Sequence, residues 1–60
     1  MNLPPPPLTV AEVAGYLGVS DDIVRDLLRK KLLRGNKVGG QWRIRPGDLA
    51  VYIIHTFERR

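Results

Sequence analysis

Sixty residues make one small domain, and a chain of that length buries only about 60% of the surface its unfolded form exposes, which argues against an enclosed active-site cavity. With no cysteine and a single histidine, His55, it can form neither a disulfide nor a thiolate zinc site, and no run approaches the roughly 18 apolar residues that span a bilayer. The formal charge of +4 is unevenly spread: between Arg25 and Arg45 eight cations meet one carboxylate, Asp26, a local +7 that suits a polyanionic partner or, on charge alone, a basic solvated surface. We therefore expect a soluble, cytoplasmic chain with no membrane association, no cofactor, no metal site and no catalytic residue.

The run Pro4 to Pro7 cannot donate backbone hydrogen bonds and favours an extended conformation, which predicts a flexible tail over residues 1–7, a domain over 8–57 and a short tail over 58–60. Thr9 followed by Glu12 fits a capping box, and Leu8 can staple onto Val13, so a helix should start at Val10. Val10, Val13, Ala14 and Leu17 form one apolar stripe, and Gly18 can take the positive φ that ends the helix. Ser20 then caps a second helix over about Asp21 to Lys30, with Asp21 and Asp22 favoured in its first turn by the helix dipole.

Ile23, Val24, Leu27 and Leu28 are the expected buried face of that second helix, leaving Asp22, Arg25, Asp26, Arg29 and Lys30 outward. Leu32 and Leu33 should continue the core. From Gly35 the period changes: Asn36 to Val38 and Gln41 to Arg45 read as strands joined by a Gly39-Gly40 turn, with Trp42 and Ile44 inward and Gln41, Arg43 and Arg45 outward. Pro46 suits the first position of a third helix, whose Leu49, Tyr52, Ile53 and Phe57 would close the core while Val51 and Ile54 fall outside the stripe. Two helices joined by a glycine-containing turn, a hairpin and a closing helix make a mainly α domain with a small β-hairpin: a winged helix-turn-helix with three helices and a two-stranded wing.

The stretch Leu8-Thr9-Val10-Ala11-Glu12-Val13-Ala14, then Leu17-Gly18-Val19-Ser20, then Val38-Gly39-Gly40-Gln41-Trp42-Arg43-Ile44 and Asp48-Leu49, resembles the excisionase-family DNA-binding domain, similar in fold to the MerR winged helix. That resemblance covers roughly Leu8 to Ile54. It implies double-stranded DNA as partner, with the second helix in a major groove and the wing beside it. Carried over, Ser20, Asp22, Arg25, Asp26, Arg29 and Lys30 would face DNA from the helix, and Gly39, Gly40, Gln41 and Arg43 from the wing. It further implies a recombination directionality or architectural factor, or a small transcription regulator, that self-associates along DNA or works with a recombinase or RNA polymerase.

The chain departs from the family pattern in three places. Asp21 and Asp22 follow the second cap, where carboxylates repel phosphates, although Asp22 could accept from cytosine N4. Lys31 stands where a glycine commonly ends the helix, so either the helix runs on or a lysine is left-handed. Gly35-Asn36 replaces an apolar pair and should weaken the first wing strand.

Strand alternation and local charge make Lys37, Arg43 and Arg45 candidate phosphate contacts, whereas Arg25, Arg29 and Lys30 are also ordinary helical ion-pair neighbours of Asp22 and Asp26. Trp42 reads as a core anchor, and His55 as a surface residue without a proton-transfer partner. The competing function is a protein-interaction module on the same scaffold, docking through the region from Ile54 to Phe57.

Overall fold

The structure is a computed structural model that describes Leu3 and residues 6–58, so most of the expected N-terminal tail (residues 1–7) and the end of the C-terminal one (58–60) lie outside the described residues. Helix α1, Val10–Leu17, starts as the capping box requires: the Thr9 hydroxyl accepts from the Glu12 N–H at 3.1 Å and the Glu12 carboxylate accepts from the Thr9 N–H at 2.9 Å. Such a cap is worth about 1 kcal/mol. The helix ends at Gly18, whose φ of +73° lets its own N–H and that of Val19 reach the Ala14 carbonyl.

Helix α2, Asp21–Arg29, is capped by the Ser20 hydroxyl, which accepts from the Ile23 N–H at 3.3 Å. It ends one residue earlier than the sequence suggests, because Lys31 is left-handed at φ +63°. The Lys31 N–H donates to the Leu28 carbonyl and the Leu32 N–H to that of Leu27, a Schellman ending with lysine where glycine is unstrained. That conformation costs a non-glycine residue about 1 kcal/mol.

Strands β1, Asn36–Val38, and β2, Gln41–Arg43, pair antiparallel, Asn36 opposite Arg43, Lys37 opposite Trp42 and Val38 opposite Gln41. The turn residues Gly39 and Gly40 both have positive φ, 58° and 81°, as a two-residue type I′ hairpin needs. The second strand is shorter than expected. Ile44 instead exchanges backbone hydrogen bonds with Leu8, 2.6 Å from the Leu8 N–H and 2.9 Å from its own, and Arg45 becomes the N-cap residue of helix α3, Pro46–Ile53. This bridge, invisible to local periodicity, ties the entry to α1 onto the base of the wing.

Val13, Ala14, Val24, Leu28, Leu33, Ile44 and Leu49 form the buried core, with Leu8, Val10, Leu17, Leu27, Trp42, Tyr52 and Ile53 packed around it. Ile44 and Leu49 are both buried at the start of α3, where a hydrophobic staple would join them.

Three expected core residues are not in it. Ile23 is 49% exposed, because it lies in the first turn of α2 on the side no other helix covers. Leu32 is 63% exposed while Leu33 is buried, because the left-handed Lys31 reverses the chain and turns only the second leucine inward. Phe57 is 56% exposed: α3 passes into a π-helical segment, Ile54–Glu58, whose wider winding carries Phe57 off the stripe and leaves it edge-on to Tyr52, ring centroids 6.5 Å apart. Val51 and Ile54 are exposed as their spacing indicates.

Gly35, just before β1, has a packing role that the sequence does not display. A Cβ there would stand 2.7 Å from Leu28 Cδ2 and 3.3 Å from both the Arg43 carbonyl oxygen and Ile44 Cγ1. The wing strand closes directly onto buried Leu28 because this position has no side chain.

Candidate nucleic-acid interface

The outward face of α2 carries three carboxylates and three cations from Asp21 to Lys30, and they pair with one another. Arg25 lies 2.8 Å from Asp22 and 4.0 Å from Asp21; Asp26 lies 2.9 Å from Lys30 and 4.0 Å from Arg29. All six are solvent-facing, so each pair contributes at most about 1 kcal/mol and exchanges readily for another partner. Together they leave the helix face without net charge.

The next fifteen residues are different. From Lys31 to Arg45 there are five cations, Lys31, Arg34, Lys37, Arg43 and Arg45, and no acidic residue. None of the five lies within 4.0 Å of a carboxylate among the described residues. Among the described residues, the excess of positive charge therefore lies in the loop after α2 and in the wing.

Strand pairing divides those cations. Lys37 and Trp42 are directly opposite and share one face of the hairpin, with Lys37 Nζ 5.5 Å from the centre of the indole, a cation–π contact. Asn36, Val38, Gln41 and Arg43 belong to the other face. Arg25 of α2 joins Gly40, Gln41, Trp42 and Arg43 of the wing around a groove of about 280 Å³, closed by Thr9, Val10 and Ala11 at the start of α1.

Of the residues expected at the interface, the groove unites Arg25, Gly40, Gln41 and Arg43. Ser20, Asp22, Asp26, Arg29 and Lys30 stand along α2 outside it, Gly39 sits in the wing turn, and Arg45 is exposed at the N-cap of α3. Lys37 lies across the hairpin. There it lines a second hollow with Lys31 and Arg34, two cations absent from the expected set. Their signal is present in the sequence as the lysine at the glycine position and as the acid-free run that follows.

A family model described as a helix-turn-helix domain matches residues 7–54, most of the chain. The chain belongs to this helix-turn-helix family. The family is associated with excisionase-like DNA-binding domains, in agreement with the resemblance carried by the sequence, and DNA binding is the activity a helix-turn-helix domain implies. Such families are typically non-enzymatic. No curated protein and no solved structure matches the chain. Among the described residues of this helix-turn-helix domain, no helix is long and apolar enough to cross a membrane, and no cluster of three or more His, Cys, Asp or Glu side chains is placed to hold a metal ion.

Proposed function

We propose that the domain binds double-stranded DNA with a sequence preference, α2 lying in the major groove and the wing against the adjacent backbone. The observation that carries this reading is the groove in which Arg25 of α2 meets Gln41 and Arg43 of the wing, at the edge of a carboxylate-free basic stretch. Arg25 and Gln41 have the donor geometry for base edges, and Arg43, Arg45 and Lys37 supply charge for phosphates. Ser20, Asp26, Arg29 and Lys30 would follow the groove along α2, with the glycines Gly39 and Gly40 allowing the wing tip a close approach.

One such small unit reads few base pairs, so useful specificity calls for several copies along DNA or for a recombinase or RNA polymerase beside it. We assign the domain to excisionase-like recombination directionality or architectural factors, or to small transcription regulators. Selection from a randomised duplex pool at about 150 mM salt tests the reading, because weak electrostatic sticking is partly screened there. An enriched motif supports it, and a regularly repeated one supports assembly along DNA. A pool that stays random defeats it.

A second reading has its own observation. The helix face has no net charge, and Leu8, Tyr16, Pro46, Leu49, Ile53 and Ile54 line an apolar concavity that contains no charged residue, with Tyr16 73% exposed. A protein-interaction module would use that side, and light scattering across a concentration series would then show a stable oligomer with no sequence-selective DNA binding.

A further inference from the structure

Lys31 is the one non-glycine residue with positive φ among the described residues. A glycine would close the same Schellman ending without strain, so the lysine holds its backbone conformation at a cost to the fold. Strained positions of this kind recur where the side chain is used.

Its surroundings indicate the use. Lys31 lines a hollow of about 540 Å³ with Arg34 and Lys37, floored by Leu28, Leu33 and Trp42 and edged by Gly35 and Asn36. All three cations are exposed, and none has a carboxylate within 4.0 Å among the described residues. Lys37 is steadied by the Trp42 ring, 5.5 Å away, which lowers the ordering cost of holding an anion. Lys37 holds the hollow on its own side of the hairpin, and Trp42 stands between it and the Arg25–Arg43 groove, lining both.

We propose that Lys31, Arg34 and Lys37 form a second phosphate-binding surface, which grips the sugar-phosphate backbone of the duplex on the Lys37 side of the wing, across Trp42 from the Arg25–Arg43 groove. This rests on the reading of the domain as a duplex DNA binder. Phosphates would then be engaged on both sides of the wing. Most of the salt-sensitive affinity would come from the loop and the wing, and the charge-balanced α2 would contribute chiefly direct contacts to bases.

Lys31→Gly separates a used side chain from a merely tolerated one, because the two effects have opposite sign. The variant is expected to melt about 4–8 °C higher, as relief of left-handed strain in a domain this size gives, while binding a fluorescein-labelled duplex more weakly whatever its sequence. In anisotropy titrations from about 50 to 300 mM NaCl, the slope of log K against log salt should fall by about 0.9 for each phosphate left without its cation, in Lys31→Gly and again in Arg34→Ala. Wild-type slope and affinity in both variants, with Arg43→Ala still impaired, would overturn the second surface and leave the groove intact. A wild-type protein that binds no duplex at any salt would overturn both.

Discussion

The Arg25 guanidinium donates to the Asp22 carboxylate at 2.8 Å, one turn back along α2 and beside the groove that Arg25 shares with the wing. Arg25 is thus weakly paired in the free protein, and a phosphate or base that engages it exchanges with Asp22. Asp22→Asn removes the closer of the two carboxylates beside Arg25, leaving Asp21 at 4.0 Å, and with it a charge that repels phosphate. We expect a few-fold tighter binding to unrelated duplexes, about 0.5–1 kcal/mol, with a stability loss of about 0.3–1 kcal/mol from the helix dipole. If Asp22 instead reads a cytosine, the same variant loses affinity only at sites carrying that base, and titration of matched and mismatched duplexes separates the two outcomes.

Arg43→Ala and Arg25→Ala should fail differently. Removing the wing arginine is expected to weaken binding uniformly across sequences and lower the salt slope by about 1. Removing Arg25 should alter which sequences are preferred. Repeating the duplex selection with each variant is the check, and an unchanged slope for Arg43→Ala would remove the wing from the interface.

Much of this domain can be read locally. The Thr9–Glu12 box, the glycine that stops α1, the Ser20 cap, the Gly39-Gly40 turn and Pro46 at the head of α3 each satisfy a backbone requirement within a few residues, so their sequence signals are self-contained. Ile23, Leu32 and Phe57 cannot be placed that way, because their burial depends on other elements: a helix that does not cover the first turn of α2, a chain reversal at Lys31 and a π-helical widening after α3. The ion pairing along α2 is legible from spacing. That Arg25 meets Gln41 and Arg43, while Lys37 joins Lys31 and Arg34, depends on how the hairpin packs and is not.

Gly35→Ala should destabilise the domain by about 1–3 kcal/mol, the usual cost of overpacking a filled core. The obstructing Leu28 side chain is itself buried, and the Arg43 carbonyl oxygen at 3.3 Å is backbone that no rotamer change moves aside. Chemical denaturation measures the loss; a variant as stable as the parent would mean that the wing can shift away from α2.

The wing turn offers the converse test. At both Gly39 and Gly40 the place a Cβ would take has no other atom within 4 Å, so substitutions there act only through φ. Gly39→Asn should be neutral or slightly stabilising, since Asn-Gly is the favoured type I′ pair. Gly40→Val should cost more than about 1 kcal/mol, because a β-branched residue tolerates positive φ poorly. Equal melting temperatures for the two variants would contradict the type I′ assignment.

The Leu8–Ile44 bridge joins the residue that leads into the first helix with the one that leads into the last. The α1–α2 pair can assemble from contacts between neighbours in the chain. The bridge can close only once everything between its two residues has collapsed, and the loop entropy of that closure falls on the final step. Its two amide protons are therefore natural reporters of whole-domain opening, expected to exchange with solvent only as slowly as the entire fold comes apart. Exchange faster than that of the α1 core would instead mark the wing base as a separately opening unit, a hinge that could be tuned without altering any residue in the candidate DNA-contacting set.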